Sequence, residues 1–445
     1  MTVVGVIFLM LAFAFLAARP TAFPWLLAAT VPFPHTAALV IAGNALSPFY
    51  MLAIIAVLRL VYLVIRERRW GFKAPVSRIA TIAALIFLGY SIVISLVGPF
   101  LFEGIEVFAP RAGLDEQVLD QSTLAFSISN LAQPLYLLLG AGVVLYLGRE
   151  KRVSAAMFDL TVWLGVGLAL VRLMLPAAWP VALIENIPNV SYAVTQEGLR
   201  GTFSEPSLFG LFLVAAFGYS VVRIFVATGW RRWAMVATVA IVVLELAVNL
   251  SFTAIGALGI VIAIGGVVVV VAITRGRRAL RVWIGSIAAV FVIVGIVAFP
   301  WISAIVGGVF DEKLSSDSFH NRAVSNGVAY SVFTQTWGLG AGLGSNRPSS
   351  LFALLLSCVG LIGTVAFFAV VVLVLLGVLR HRSLWPAGAG LLGVVVAQVT
   401  SAPELSIPVF WMLLALTFWA PVLVETAEQR EPLYRRMLSR APRNA

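Results

Sequence analysis

Cysteine and charge are what this chain most nearly lacks. Its single cysteine, Cys358, lies inside an apolar run. That excludes a disulfide framework and a cysteine-based metal site, and leaves the thiol as a buried small hydrophobe. Charged residues make up 11% of the 445 residues against 61% hydrophobic ones, and the mean hydropathy is +1.04. A soluble globule does not tolerate that balance, so the chain reads as a polytopic membrane protein. Histidines and carboxylates nowhere fall at metal-ligand spacing, so any chemistry is expected to need neither metal nor cofactor. Fixed-period repeats, low-complexity tracts and an appended soluble domain are also missing from the reading.

What is there is a succession of apolar runs of about 16 to 25 residues, each long enough as a helix to cross a hydrocarbon core of roughly 30 Å. A net charge of +11 and a pI near 10.4 would fit a nucleic-acid binder, but the distribution argues against one. Basic residues cluster at 66–78, 149–152, 223–232, 275–281, 380–382 and 430–443, in every second loop. This is the positive-inside pattern, which assigns those loops to the cytoplasm. The run 3–18 lacks a basic leader and a small-residue cleavage site, so it reads as a span and not as a removable signal peptide.

Counting from the basic loops predicts helices at about 3–18, 23–43, 47–65, 78–98, 124–147, 154–177, 207–227, 233–250, 253–273, 282–303, 350–378, 386–402 and 407–424. The second is interrupted by Pro24, Pro32, Pro34 and His35. The expectation is therefore twelve spans with a cytoplasmic N-terminus, or thirteen with the N-terminus outside and Arg19 inside. The whole chain, 1–445, forms one integral membrane domain with a cytoplasmic basic tail at 425–445 in either case. The opposite face carries loops at 99–123, 178–206 and 304–349 and a short one at 401–406, which hold most of the nineteen acidic residues. Basic residues are few there: Arg111, Arg200, Lys313, Arg322 and Arg347, with Arg172 near the outer end of its helix. Topogenesis disfavours external arginine, so those that remain are candidates for function.

The loop at 178–206 ends in Arg200-Gly-Thr-Phe-Ser-Glu-Pro-Ser207. Pro206 suits the first turn of the next helix, which puts Glu205 at or beside an N-cap. Either Glu205 meets the helix dipole and pairs with Arg200, or the dipole, the free N–H groups and Arg200 together hold an anion such as a phosphate. The loop at 304–349 contains Asp317-Ser-Phe-His320-Asn-Arg322, a short helix-compatible stretch, and then Gly338-Leu-Gly-Ala-Gly-Leu-Gly-Ser345-Asn346-Arg347. Its alternating glycines allow either tight packing or a close backbone approach to a ligand. Asp159 and Glu245 lie within spans, where charge is expensive; Glu245 is expected to be neutral and hydrogen-bonded inside the bundle.

These elements, with Asn249-Leu-Ser-Phe-Thr-Ala254 and the run 354–363, resemble the Wzy-type polysaccharide polymerases and O-antigen ligases, membrane glycosyltransferases of GT-C architecture. The resemblance covers about residues 120–380. It departs from the ligases, which carry a histidine just before the helix at 350–378, where this chain has Asn346-Arg347-Pro348. The resemblance implies an enzyme in the bacterial cytoplasmic membrane, with its active site outside. A growing glycan would pass from undecaprenyl diphosphate to another lipid-linked repeat unit, with a flippase and a chain-length regulator as further partners. Arg200, Arg322 and Arg347, and Arg172 beside them, would hold the diphosphate. Ser345, Asn346 and Glu404 would help to bind the glycan, and the general base would be Glu205, His320 or Glu404. Ligation to another acceptor, or a lipid-linked oligosaccharide flippase, remains the alternative.

Overall fold

A backbone in lipid has no water to bond, so apolar runs close their hydrogen bonds internally as helices. The computed structural model describes residues 1–41, 43–68, 71–108, 121–150, 154, 156–188, 190, 192, 198–249, 251–274, 317–401 and 403–420. In chain order the helices are α1 (Val3–Ala18), α2 (Phe23–Thr30), α3 (Pro48–Glu67), α4 (Arg78–Leu101), α5 (Ser129–Arg149), α6 (Met157–Met174), α7 (Val181–Ile184), α8 (Pro206–Val226), α9 (Trp230–Asn249), α10 (Phe252–Thr274), α11 (Asp317–Gln335), α12 (Leu351–Val378), α13 (Trp385–Thr400) and α14 (Pro408–Phe418). Among the described residues eight of these are long and apolar enough to cross a membrane: α3, α4, α5, α6, α8, α9, α12 and α13. The chain is thus an all-α, multi-pass membrane protein. Two antiparallel ribbons, β1 (Leu39–Ile41) with β2 (Asn44–Leu46) and β3 (Glu106–Phe108) with β4 (Gln121–Thr123), lie in its loops. The helix expected at 282–303, the tail at 425–445, Arg111 and Lys313 lie outside the described residues.

Sequence signals set the helix ends. Pro48, Pro206 and Pro408 occupy first turns, where the missing N–H costs nothing. Ser77 and Ser350 accept the N–H of Ala80 and Ala353 at 3.2 and 3.3 Å. Arg66, Arg149 and Arg223 fall in last turns at one face of the bundle, where they complement the helix dipoles. The starts of α3, α5, α8, α12 and α14 and the ends of α4, α6, α9 and α13 form the other face. Helices α8 and α13 approach backbone to backbone: a Cβ on Gly218 or Gly393 would stand 2.9 Å from the carbonyl oxygen of Ala389 or Val214.

The segment expected as a helix at 23–43 is helical only to Thr30. Pro32 and Pro34 bring no N–H, so the helical ladder cannot continue. The chain still rises through the bundle. Phe23 packs edge-on to Tyr146 near the basic face, while Thr36 donates to the carbonyl of Ile184 (2.9 Å) at the other. Non-helical backbone survives at that depth because protein surrounds it. Side chains take up its carbonyls: Thr161 bonds Ala28 (2.8 Å), Thr202 bonds Pro32, Tyr192 bonds His35 (2.7 Å) and Thr2 bonds Ala37 (2.6 Å).

A second break lies in α12, where Gly360 adopts φ +61° and ψ −166°. The glycine-rich segment 338–344 fills it. Ala341 and Gly342 donate to the carbonyls of Ser357 and Cys358, and Leu361 donates to that of Gly338, all at 2.8 Å. A Cβ on Gly340 would stand 2.6 Å from the Cys358 oxygen. Packing, not an open ligand surface, explains these glycines. The adjoining α11 begins at Asp317, so His320 and Arg322 lie within its first turns instead of ahead of a short helix.

The two intramembrane carboxylates differ. Asp159, 2% exposed, takes both Nε and Nη2 of Arg223 (3.0 and 2.9 Å) and the hydroxyl of Tyr219 (2.5 Å). Glu245 is fully buried in α9, and, contrary to expectation, neither of its oxygens has a hydrogen-bond partner among the described residues.

Gly342 has φ +95°, and a Cβ there would stand 2.8 Å from the Ser95 Cα, so Gly342→Ala is expected to cost about 2 kcal/mol or more in detergent unfolding. Gly167→Ala, which meets nothing within 4 Å, serves as the neutral control. Asp159→Leu strands the Arg223 charge and is expected to cost about 3–5 kcal/mol by the same measurement, with Arg223→Met added to it restoring part of the loss.

Candidate functional site

The Arg-Gly-Thr-Phe-Ser-Glu-Pro segment connects the long loop to α8, and its conformation is held from α9. Asn249, at the head of the Asn-Leu-Ser-Phe-Thr-Ala stretch, donates through Nδ2 to the carbonyls of Leu199 (2.5 Å) and Pro206 (2.8 Å). Between them the chain turns tightly, with Phe203 N–H on the carbonyl of Arg200 at 2.9 Å. Glu205 is the N-cap of α8 but makes no side-chain cap; its Oε2 accepts the hydroxyl of Ser207 at 3.0 Å.

Arg200 is 6% exposed, and its carboxylate partner is Glu185, whereas one of the two arrangements open from the sequence paired it with Glu205. Glu185 takes two guanidinium groups at once: Nη2 of Arg200 reaches Oε2 at 2.6 Å and Nη1 of Arg172 reaches Oε1 at 2.7 Å. Trp179 Nε1–H adds a bond to Oε1 at 3.2 Å, and Arg172 Nη1 also donates to the carbonyl of Gly201 at 2.6 Å. Each guanidinium lies against an aromatic face, Arg172 5.2 Å from the ring of Trp179 and Arg200 5.3 Å from that of Tyr192. Among the described residues, two cations on one anion leave one positive charge in surplus. Beside it opens a cavity of about 500 Å³ lined by both arginines, Trp179, Gly198 and apolar side chains that include Leu173 of α6, Val181 of α7 and Val248 of α9. An anionic head with an apolar tail fits such walls.

Tyr192 leads from this cluster to a second one. Its ring faces Arg200 and its hydroxyl, whose proton affinity burial raises, donates to the carbonyl of His35. The His35 side chain is 14% exposed, and its Nε2 lies 3.9 Å from Oε2 of Glu404, which is 39% exposed. Burial pushes the imidazole below its ordinary value, Glu404 opposes that shift, and Arg347 adds to it. Glu404 is fixed from three sides. Its carbonyl accepts Gln398 Nε2 (2.7 Å), its Oε1 accepts Ser406 Oγ (3.0 Å), and Tyr50 anchors Ser406 through its carbonyl (2.8 Å).

The remaining candidates divide. Arg347 is exposed and close enough to His35 to act on it electrically. Ser345 and Asn346, 4% and 2% exposed, bond inward: Ser345 Oγ receives Asn130 Nδ2 (2.8 Å) and Asn346 Oδ1 receives the N–H of Phe108 (3.0 Å). They shape the loop that presents Arg347. Arg322 is half-buried and His320 exposed on α11, which docks on this loop through Ser325 to Ser349 (2.7 Å) and Asn326 to the Ser349 N–H (3.0 Å). Glu185 and His35 were not singled out from sequence. Neither lies in a motif, and the only available signal was a carboxylate and a histidine between prolines in or near outer loops.

Glu185→Ala leaves two guanidinium groups facing each other with no counter-charge, so it is expected to lower stability by about 3–5 kcal/mol in thermal unfolding. Inorganic pyrophosphate is expected to raise the melting temperature of that variant more than that of the wild type, because the anion takes the vacated place. No protein-family model matches the chain and no curated protein is significantly similar to it, so its function is argued from residues and geometry.

Proposed function

We propose that this chain is a Wzy-type polysaccharide polymerase with GT-C architecture in the bacterial cytoplasmic membrane, working on its outer face without metal or cofactor. It transfers a growing glycan from undecaprenyl diphosphate to a hydroxyl of a second lipid-linked repeat unit. The reading is carried by the meeting of Arg172 and Arg200 on Glu185 beside an apolar-walled cavity at the level of the helix ends. A polyprenyl diphosphate has the matching parts, a doubly anionic head and a hydrocarbon tail. Arginine suits the head because its planar fork binds phosphate oxygens in pairs and stays charged.

In the reaction the bond between the anomeric carbon and the diphosphate oxygen breaks as the acceptor oxygen bonds to that carbon. The leaving group departs as an anion that Arg172 and Arg200 neutralise, which lowers the barrier most where water is excluded. Glu404 and Arg347, one tyrosine away, orient the acceptor glycan. The other cationic candidate, Arg322, contributes to the same face from α11.

Purified protein in liposomes, given lipid-linked repeat units extracted from source cells that lack this chain, is expected to build a ladder of lengthening products. Arg200→Ala and Arg172→Ala are each expected to raise the donor KM by about ten- to a hundredfold. Wild-type protein that builds no ladder but moves the units across the bilayer would make it a flippase. A single transfer to a different acceptor lipid would make it a ligase.

A further inference from the structure

His35 belongs to no motif and sits on the proline-broken segment that the bundle encloses. Three neighbouring backbone positions fix it: the His35 carbonyl accepts Tyr192 (2.7 Å), Thr36 Oγ1 donates to Ile184 (2.9 Å), and Ala37 N–H donates to Asn186 Oδ1 (2.7 Å). Its ring packs 6.1 Å from that of Phe203, itself held within the Arg200–Pro206 turn. The imidazole is therefore presented rigidly, largely out of water, toward one carboxylate. The gap of 3.9 Å between Nε2 and Glu404 Oε2 is too long for a hydrogen bond, so the carboxylate acts on the imidazole through charge and leaves the Nε2 lone pair for a hydroxyl to donate to.

We propose that His35 is the general base of the transfer, a role that rests on the glycan-polymerase reading above. The acceptor hydroxyl donates to Nε2 of His35, its oxygen bonds to the anomeric carbon, and its proton passes to Nε2. The electron pair of the broken glycosyl–oxygen bond leaves with the polyprenyl diphosphate. Glu404 then stabilises the imidazolium, as a carboxylate does beside any histidine that gains a proton. The charged groups that act on His35 come from two elements, Glu404 in the 401–407 turn and Arg347 after the glycine-rich segment, while Tyr192 in the long loop bonds its backbone carbonyl. Tyr50 and Tyr136 face Glu404 from α3 and α5.

The sign of the pH dependence follows. A base must be neutral to act, and His35 titrates below its ordinary 6.5, so turnover is level at neutral pH and falls on an acid limb below that value. Glu404 raises the affinity for the proton, so Glu404→Gln moves the limb to lower pH. Arg347 lowers it, so Arg347→Ala moves the limb to higher pH.

The test is the liposome ladder assay, read as kcat against pH with donor KM measured alongside, for wild type, His35→Gln, Glu404→Gln and Arg347→Ala. His35→Gln keeps the polar shape but cannot take a proton. It is expected to lose about 10²- to 10³-fold in kcat with donor KM within about twofold, and added imidazole is expected to restore part of the rate to His35→Ala. A ladder-forming wild type whose His35→Gln variant retains a third or more of kcat overturns the role of His35 and leaves the polymerase reading standing. A wild type with no ladder overturns both. Were His35→Gln to lose its fold, the limb positions in the other two variants decide: opposite shifts support the role, and no shift in either removes it.

Discussion

A backbone carbonyl or N–H that leaves its helix inside a membrane must find another partner, and that requirement organises the functional face of this protein. The chain breaks its helical pattern twice within the bundle, at the prolines after Thr30 and at Gly360. Each break exposes polar backbone, and each is closed by groups from other parts of the chain. The glycine-rich segment closes the second with backbone groups alone, which is why side chains are absent at its alternate positions. The first is closed by side chains, Thr161, Thr202, Tyr192 and Thr2. Closing the breaks is what draws the long loops down onto the bundle, and the loops carry Arg200, Glu185 and Arg347 with them.

Charge follows a second rule. At the basic face Asp159 and Arg223 form a matched pair with both carboxylate oxygens and a tyrosine engaged, so that site is electrically closed and structural. At the other face one carboxylate serves two arginines. The two guanidinium groups would repel at that distance without Glu185, and with it they keep one positive charge in surplus among the described residues. A surplus held in place by cation–π contacts and buried bonds costs little reorganisation when an anion arrives. One arginine per carboxylate marks the structural pair, and two mark the site proposed to bind the diphosphate.

Much of the fold was legible from the sequence, and less of the site. The described spans fall close to the apolar runs because helix length and hydropathy are local properties. The prolines at 24, 32 and 34 marked one of the two segments that break their helix, and Pro206 placed Glu205 at an N-cap. Partners could not be read in the same way. Glu185 lies in a loop with little local pattern, and its pairing with Arg172 and Arg200 depends on how that loop folds back. His35 and Glu404 belong to opposite ends of the chain, and only the packing of the bundle brings them together. Ser345 and Asn346 looked available because they flank an arginine; their burial follows from Asn130 and Phe108, residues of other elements.

The same broken segment therefore has two roles that a continuous helix would not combine. A helix through 31–38 would satisfy its own carbonyls and would leave Tyr192, Thr202 and Asn186 with nothing to hold. The loop that carries Arg200 would then lose its seat. Breaking the helix hands those carbonyls to the loop and, through Tyr192, ties the Arg200 guanidinium to the backbone of His35. Rigid spacing of a charge-neutralising group and a proton-accepting group is what the proposed transfer requires, since both would have to meet the same sugar in one geometry.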